Sequence, residues 1–313
     1  MRAASWVLLL TLCFLSVQAA QGAVYYLIVA GLGGEPEYEQ RFTGLANDLD
    51  KLFKTSGGDV HVYTLMGREA SRARLTETLG LISRQAKPED DFVLILIGHG
   101  SFDGLQYKFN LVGPDISAEE LAAACDRVPA KRQLVVNTTS ASGGSIPALE
   151  RPGRAVIAAT KTGTEKNATI FCRYWVEALH DPDADVDKNE TISALEAFQY
   201  AERKTGAYYE SEKRLATEHA VFEDTGKNEA VRAPSRQSGE GLMLFSFTLV
   251  RFGSAERAAN DPGKRALLAK KEELERQIDA LKYQKAAMAE DDYKKQLTTA
   301  LVELARVQQE LDK

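Results

Sequence analysis

Phe92-Val-Leu-Ile-Leu-Ile-Gly98-His99-Gly100-Ser101 runs through six consecutive apolar residues and stops at a histidine held between two glycines. The charged residues Glu89-Asp90-Asp91 precede it. An apolar run of this length, bounded by charges on one side and a Gly-His-Gly turn on the other, predicts a strand buried on both faces, as in a parallel sheet covered by helices. In open α/β sheets the functional crevice lies outside the carboxyl ends of the strands. Gly98 and Gly100 let the backbone turn there and leave the imidazole accessible. His99 is therefore a candidate catalytic base, since imidazole exchanges protons near neutral pH. The alternative is a histidine that caps the strand and bonds to a neighbouring loop.

The sequence on either side repeats the pattern. Val24-Tyr-Tyr-Leu-Ile-Val-Ala30 reads as a first buried strand ending in the tight loop Gly31-Leu-Gly-Gly34, whose spacing falls short of a dinucleotide fingerprint. A helix from about Tyr38 to Lys54 follows, then an alternating strand at Val60–Leu65 and an amphipathic segment from Ser71 to Gln85. Tyr107–Leu111 reads as a short strand folding over the crevice. Ser117-Ala-Glu-Glu120 is a capping box that opens a helix. Gln133-Leu-Val-Val-Asn137 is another buried strand, and it ends in the polar turn Thr138-Thr-Ser140-Ala-Ser-Gly-Gly-Ser145. Ala155–Ala159 is a fifth strand, and a helix from about Asn167 to His180 follows it. Strands alternating with helices predict a doubly wound, mainly parallel sheet. In such a sheet the strands ending at His99 and at the Ser140 turn are neighbours, so the two turns face each other.

A strand ending Val-Ala-Gly, a later strand ending His99-Gly-Ser and a third ending in Thr139-Ser140-Ala141-Ser142-Gly143 together resemble the legumain and caspase type of cysteine endopeptidase. The resemblance covers roughly residues 24–201. It implies that His99 is the catalytic base, and it places Ser140 where that family carries its cysteine nucleophile. A thiol beside a histidine ionises readily, whereas a serine hydroxyl needs an aligned base and strong oxyanion stabilisation. Two functions follow from the resemblance. One is a peptidase-like hydrolase in which Ser140 attacks with His99 as base and backbone N–H groups at Gly100 and Ser140 hold the oxyanion. The other is a catalytically dead pseudopeptidase that keeps the crevice for binding a peptide or protein. The loop after the first strand reads Gly33 where the legumain type has an asparagine, so one supporting group of that family is missing.

Asp185-Val-Asp187-Lys-Asn189-Glu-Thr191-Ile-Ser-Ala-Leu-Glu196 carries oxygen side chains at the spacing of an EF-hand-type loop. Asp185, Asp187, Asn189, Thr191 and Glu196 are its candidate Ca²⁺ ligands. Glu190 stands where such loops have glycine and must take a positive φ, a conformation strained by roughly 1 kcal/mol or more. The competing reading is an acidic loop whose Ser193 and Glu196 cap the next helix, expected to run to about Arg214. Leu242–Phe252 reads as a last strand. Beyond Pro262 helix formers dominate, with one apolar seam at Leu267, Leu274, Ile278, Leu281 and Met288 and another at Leu297, Leu301, Leu304 and Leu311. The break between the seams predicts a two-helix antiparallel hairpin, or a coiled-coil contact through which the chain associates with itself or another protein.

The 313 residues, 44% hydrophobic and 27% charged, fit one α/β domain over 21–255 and a helical appendage over 256–313. A net charge of −6 argues against nucleic acid as the main partner. Arg2, the apolar run Trp6–Leu15 and small residues at Ala19 and Ala20 predict a signal peptide over 1–20, hence an exported protein of the periplasm or the extracellular space. Of the two cysteines that would remain, Cys125 and Cys172 lie in helix-like apolar contexts that suit small buried hydrophobes better than a disulfide. His61 and His219 read as structural, and Ser142 and Ser145 as turn residues. Asn137 heads a glycosylation sequon, but its place at a buried strand end makes it a poor acceptor.

Overall fold

The computed structural model describes residues 22–313, and the predicted signal peptide lies outside that range. Strands β1 (Val24–Ala30), β2 (Val60–Leu65) and β3 (Asp91–Ile97) are linked by helices α1 (Pro36–Thr55) and α2 (Arg72–Gln85). A three-stranded antiparallel sheet follows, formed by β4 (Gly100–Phe102), β5 (Tyr107–Phe109) and β6 (Ile116–Ser117). Then come α3 (Ala118–Cys125), β7 (Arg132–Asn137), α4 (Ile146–Leu149), β8 (Arg154–Ala158), α5 (Phe171–Ala178), β9 (Thr191–Ser193), α6 (Ala194–Ser211) and β10 (Val221–Glu223). The chain ends with α7 (Leu242–Phe245), β11 (Thr248–Arg251), α8 (Gly253–Asn260), α9 (Arg265–Gln284) and α10 (Glu290–Leu311). Among the described residues no helix is long and apolar enough to cross a membrane.

The main sheet has the order β10-β8-β7-β3-β1-β2, and every pairing is parallel except that of β10 with β8. Both of its faces are covered, which explains the unbroken apolar runs. Because side chains alternate along a strand, Val93, Ile95 and Ile97 enter one core with Phe42, Leu49, Phe171 and Phe198. Phe92, Leu94 and Leu96 enter the other with Leu75, Leu79, Ile82 and Leu121. β3 is thus pinned from both sides. Cys125 and Cys172 are both free and buried.

Several expected elements differ in detail. The helix expected from Asn167 begins at Phe171, because its N-terminus is capped from afar: the Glu218 carboxylate accepts the Ile170 and Phe171 N–H groups at 2.8 and 3.1 Å. The helix expected to reach Arg214 ends at Ser211. The strand expected over 242–252 is helical at its start, since Gly241 (φ +94°), Met243 and Leu244 turn their N–H groups onto Asp224. Only Thr248–Arg251 is extended, and it pairs with β9 outside the main sheet. Strand β10 is three residues long and carries no alternation that reveals it from sequence.

The C-terminal helices form an antiparallel hairpin. Lys264 Nζ donates to the Leu311 carbonyl at 2.6 Å, and Lys270 pairs with Glu303, so the start of α9 lies beside the end of α10. Leu268, Leu274 and Ile278 of α9 are buried. The Arg251 guanidinium, almost fully buried, grips the buried Glu272 carboxylate at 2.6 and 2.9 Å and fixes α9 to β11.

Candidate functional site

β3 and β7 lie side by side in register, Leu96 opposite Asn137, so His99 and the Ser140 turn emerge together at the carboxyl edge of the sheet. They meet through the backbone of Gly100. The Ser140 hydroxyl accepts the Gly100 N–H at 3.1 Å and donates to the Gly100 carbonyl at 3.0 Å. Ser140 is 3% exposed, and among the described residues its hydroxyl makes no bond to His99. The Gly100 N–H expected to serve an oxyanion is thus taken up by the hydroxyl expected to attack. Glycine is required there, since a Cβ on residue 100 would lie 2.5 Å from the Ser140 carbonyl oxygen and 2.5 Å from the Tyr107 ring. Gly98 turns the chain with φ +148° and holds no ligand-facing group beyond its backbone.

His99 is partly exposed and stands edge-on to two aromatic rings, Tyr38 at 4.7 Å and Phe42 at 5.1 Å between centroids. Desolvation by this packing, with the nearby Arg41 charge, holds its pKa below the ordinary 6.5; a hydrogen bond to the Gly33 backbone works the other way. Arg41 lies over the same two rings, its Cζ 4.8 Å from the Tyr38 centroid and 5.4 Å from that of Phe42. The loop expected to lack a supporting group therefore contributes its main chain to the histidine.

The Ser140 turn is closed by its own polar network. Thr139 Oγ1 bonds the Tyr107 hydroxyl at 2.6 Å and Asn137 Oδ1 at 2.8 Å, and Asn137 Nδ2 donates to Ser145 at 3.0 Å. Thr160 ties Ser142 and the Gly143 N–H. Ser142 and Ser145 are structural, and Asn137, with no exposed surface, is inaccessible as a sequon. Ala141 takes φ +56° and gives its N–H to the Glu165 carbonyl at 2.8 Å, which holds the residue after Ser140 in the left-handed region. His219, on that same side, bonds Glu165 through Nδ1 at 2.6 Å.

Beside these turns lies a cavity of about 210 Å³ that no sequence pattern announced. Ile97, Thr138, Cys172 and Tyr208 form its walls, and Arg41 and Arg173 stand in its lining. Among the described residues neither guanidinium pairs with a carboxylate; Arg173 lies 5.4 Å from the Tyr174 ring centroid. The Cys172 thiol is driven up to about 11 by burial, so it is a neutral wall and no nucleophile. The cavity is small, partly open and lined by two cations, carried by α1 and α5.

The EF-hand-type loop occupies a separate place, 185–196. One carboxylate oxygen each from Asp185, Asp187 and Glu196 lie within 4.8 Å of one another. Although Asp187 as a whole is exposed, desolvation of its carboxylate among its neighbours, with the Glu196 and Asp185 charges, pushes it up to about 7. Asn189 Oδ1 accepts the Thr191 N–H at 2.8 Å, while Thr191 opens β9, whose pairing with β11 braces the loop. Glu196 also forms the capping box with Ser193, so the loop and the cap share one carboxylate. The glycine position is filled without loss of shape: Glu190 adopts φ +67°, and its side chain leaves the loop to accept the Ser254 and Ala255 N–H groups at the start of α8. Three crowded carboxylates and a braced turn suit a hard cation such as Ca²⁺.

No protein-family model matches the chain, and no curated protein matches it. Among solved structures it is similar to the initiator caspase Dronc of Drosophila, at 13% identity and a TM-score of 0.43 over 66% of this chain and 81% of that one. It is similar to protein GSU0716 from Geobacter sulfurreducens at 13% identity and a TM-score of 0.44, over 66% of this chain and 94% of that one. Caspase-1 from Spodoptera frugiperda gives 12% identity and a TM-score of 0.42, over 65% and 86%.

Proposed function

We propose that this chain is an exported, non-catalytic peptide-binding protein built on a peptidase-type α/β scaffold. The observation that carries the reading is the closed Ser140–Gly100 pair: the hydroxyl and one of the two oxyanion donors that a hydrolase would aim at a substrate carbonyl are spent on each other. What remains open is the cavity with Arg41 and Arg173, whose cations suit a carboxylate side chain of a bound peptide. The N-terminal apolar segment supports export. The test is labelling of the mature protein with a fluorophosphonate probe, beside Ser140→Ala and His99→Ala, together with binding and cleavage of a peptide library. The expected result is binding of acidic peptides with neither labelling nor cleavage, and loss of binding in Arg41→Ala by roughly tenfold or more. Labelling that requires both Ser140 and His99 would make the chain a serine hydrolase and overturn the reading.

The crowding at Asp185, Asp187 and Glu196 favours a second component, a structural Ca²⁺ in the 185–196 loop. Chelation of the purified protein followed by Ca²⁺ titration is expected to raise the melting temperature, and Asp187→Asn to abolish the rise. At a hundredfold excess over Kd the stabilisation amounts to about 2.7 kcal/mol. An unchanged melting temperature in the wild type would reduce the loop to a helix cap.

A further inference from the structure

At the other end of the sheet, far from His99, a cavity of about 540 Å³ opens between α7 and α9, within the size range of small-ligand sites. Leu242, Met243 and Phe245 of the α7 turn and Ala280 of α9 give it an apolar lining, and Lys227 and Arg276 stand at its wall. Both cations have donor capacity to spare. Lys227 Nζ has only the Ser238 carbonyl, at 3.5 Å, and no carboxylate among the described residues. Arg276 holds Glu273 through Nε and Nη2, at 3.1 and 2.8 Å, which leaves Nη1 without a partner among the described residues. The carboxylate in the lining, Asp224, forms no ion pair with either cation: both its oxygens accept backbone N–H groups from Gly241, Met243 and Leu244 at the start of α7.

We propose that this cavity binds a medium-chain carboxylate, its aliphatic body against Leu242, Met243, Phe245 and Ala280 and its head group on Lys227 and Arg276. Since one wall belongs to the domain and the other to the hairpin, the ligand bridges them. The site is independent of the peptide crevice, and its test reads only this end of the molecule. Octanoate, octylamine and octanol are titrated by calorimetry into the full mature chain, into Lys227→Glu and into Ala280→Phe. Octanoate is expected to bind the wild type. Lys227→Glu, a change at an exposed position that leaves the fold intact, is expected to weaken octanoate about tenfold or more while sparing octanol. Ala280→Phe fills the cavity and is expected to abolish binding of both, with an unchanged circular dichroism spectrum. No heat with octanoate would overturn the proposal. So would octylamine binding as tightly as octanoate, or octanoate binding Lys227→Glu as it binds the wild type.

Discussion

His99 shows how far a single residue's surroundings set its use. Aromatic edges from Tyr38 and Phe42 and the Arg41 charge favour the neutral ring, so its folded pKa lies below 6.5. Below 6.5 the unfolded chain binds the proton that the folded one refuses, so this contribution to stability is complete above that pH and is lost as pH falls toward the depressed value. Arg41→Met removes one of the two causes. It is expected to move the imidazole titration, followed by NMR, back toward 6.5 and to flatten the loss of urea stability between neutral and mildly acidic pH. An unmoved titration would show that Arg41 exerts no field on the ring. The placement of His99 and Ser140 at neighbouring strand ends was legible in the sequence, because apolar runs that stop at small polar turns mark such ends. Arg41 and Arg173 were not: each is one cation among many on an amphipathic helix, and only the docking of α1 and α5 on the same face of the sheet brings them to one cavity.

At the level of elements, four of the five parallel strands were legible because burial on both faces leaves an apolar run, the half-buried border strand β2 because its residues alternate, and the two capping boxes because Ser and Glu act on neighbours three residues away. The misread elements are those governed by distant groups. Glu218 sets the start of α5, and Asp224 converts the expected strand at 242 into a helical turn. Glu190 is the same kind of residue, a cap supplied from another element. Its positive φ costs roughly 1 kcal/mol, and its bonds to the first turn of α8 return about 1–2 kcal/mol. Glu190→Ala keeps the strain and loses the cap, so a destabilisation of about 1–2 kcal/mol is expected in urea unfolding. Glu190→Gly loses the cap but relieves the strain, so it should lie closer to the wild type. The opposite order would show that the backbone at 190 is not strained.

For the molecule as a whole, the question is what joins the α/β body to its helical tail. The Arg251–Glu272 pair is the buried polar link, and α9 adds Lys271, whose Nζ donates to the Asn189 carbonyl in the 185–196 loop at 3.1 Å. Removing one partner of a buried ion pair strands the other charge, at about 3–5 kcal/mol, whereas replacing both by apolar residues is far milder. Glu272→Gln is therefore expected to loosen the hairpin, seen as faster amide exchange in α9, and Arg251→Met/Glu272→Leu to restore most of the protection. If both variants exchange alike, the hairpin is held by Leu268, Leu274 and Ile278 alone. The two borders of the main sheet differ just as sharply. β10 is closed off by the reciprocal Phe222–Val231 backbone bonds, while among the described residues β2 pairs only with β1. A sheet with one free border can be extended once: two copies meeting β2 to β2 would use up both borders, so growth along this direction stops at a pair and cannot run on into a fibre.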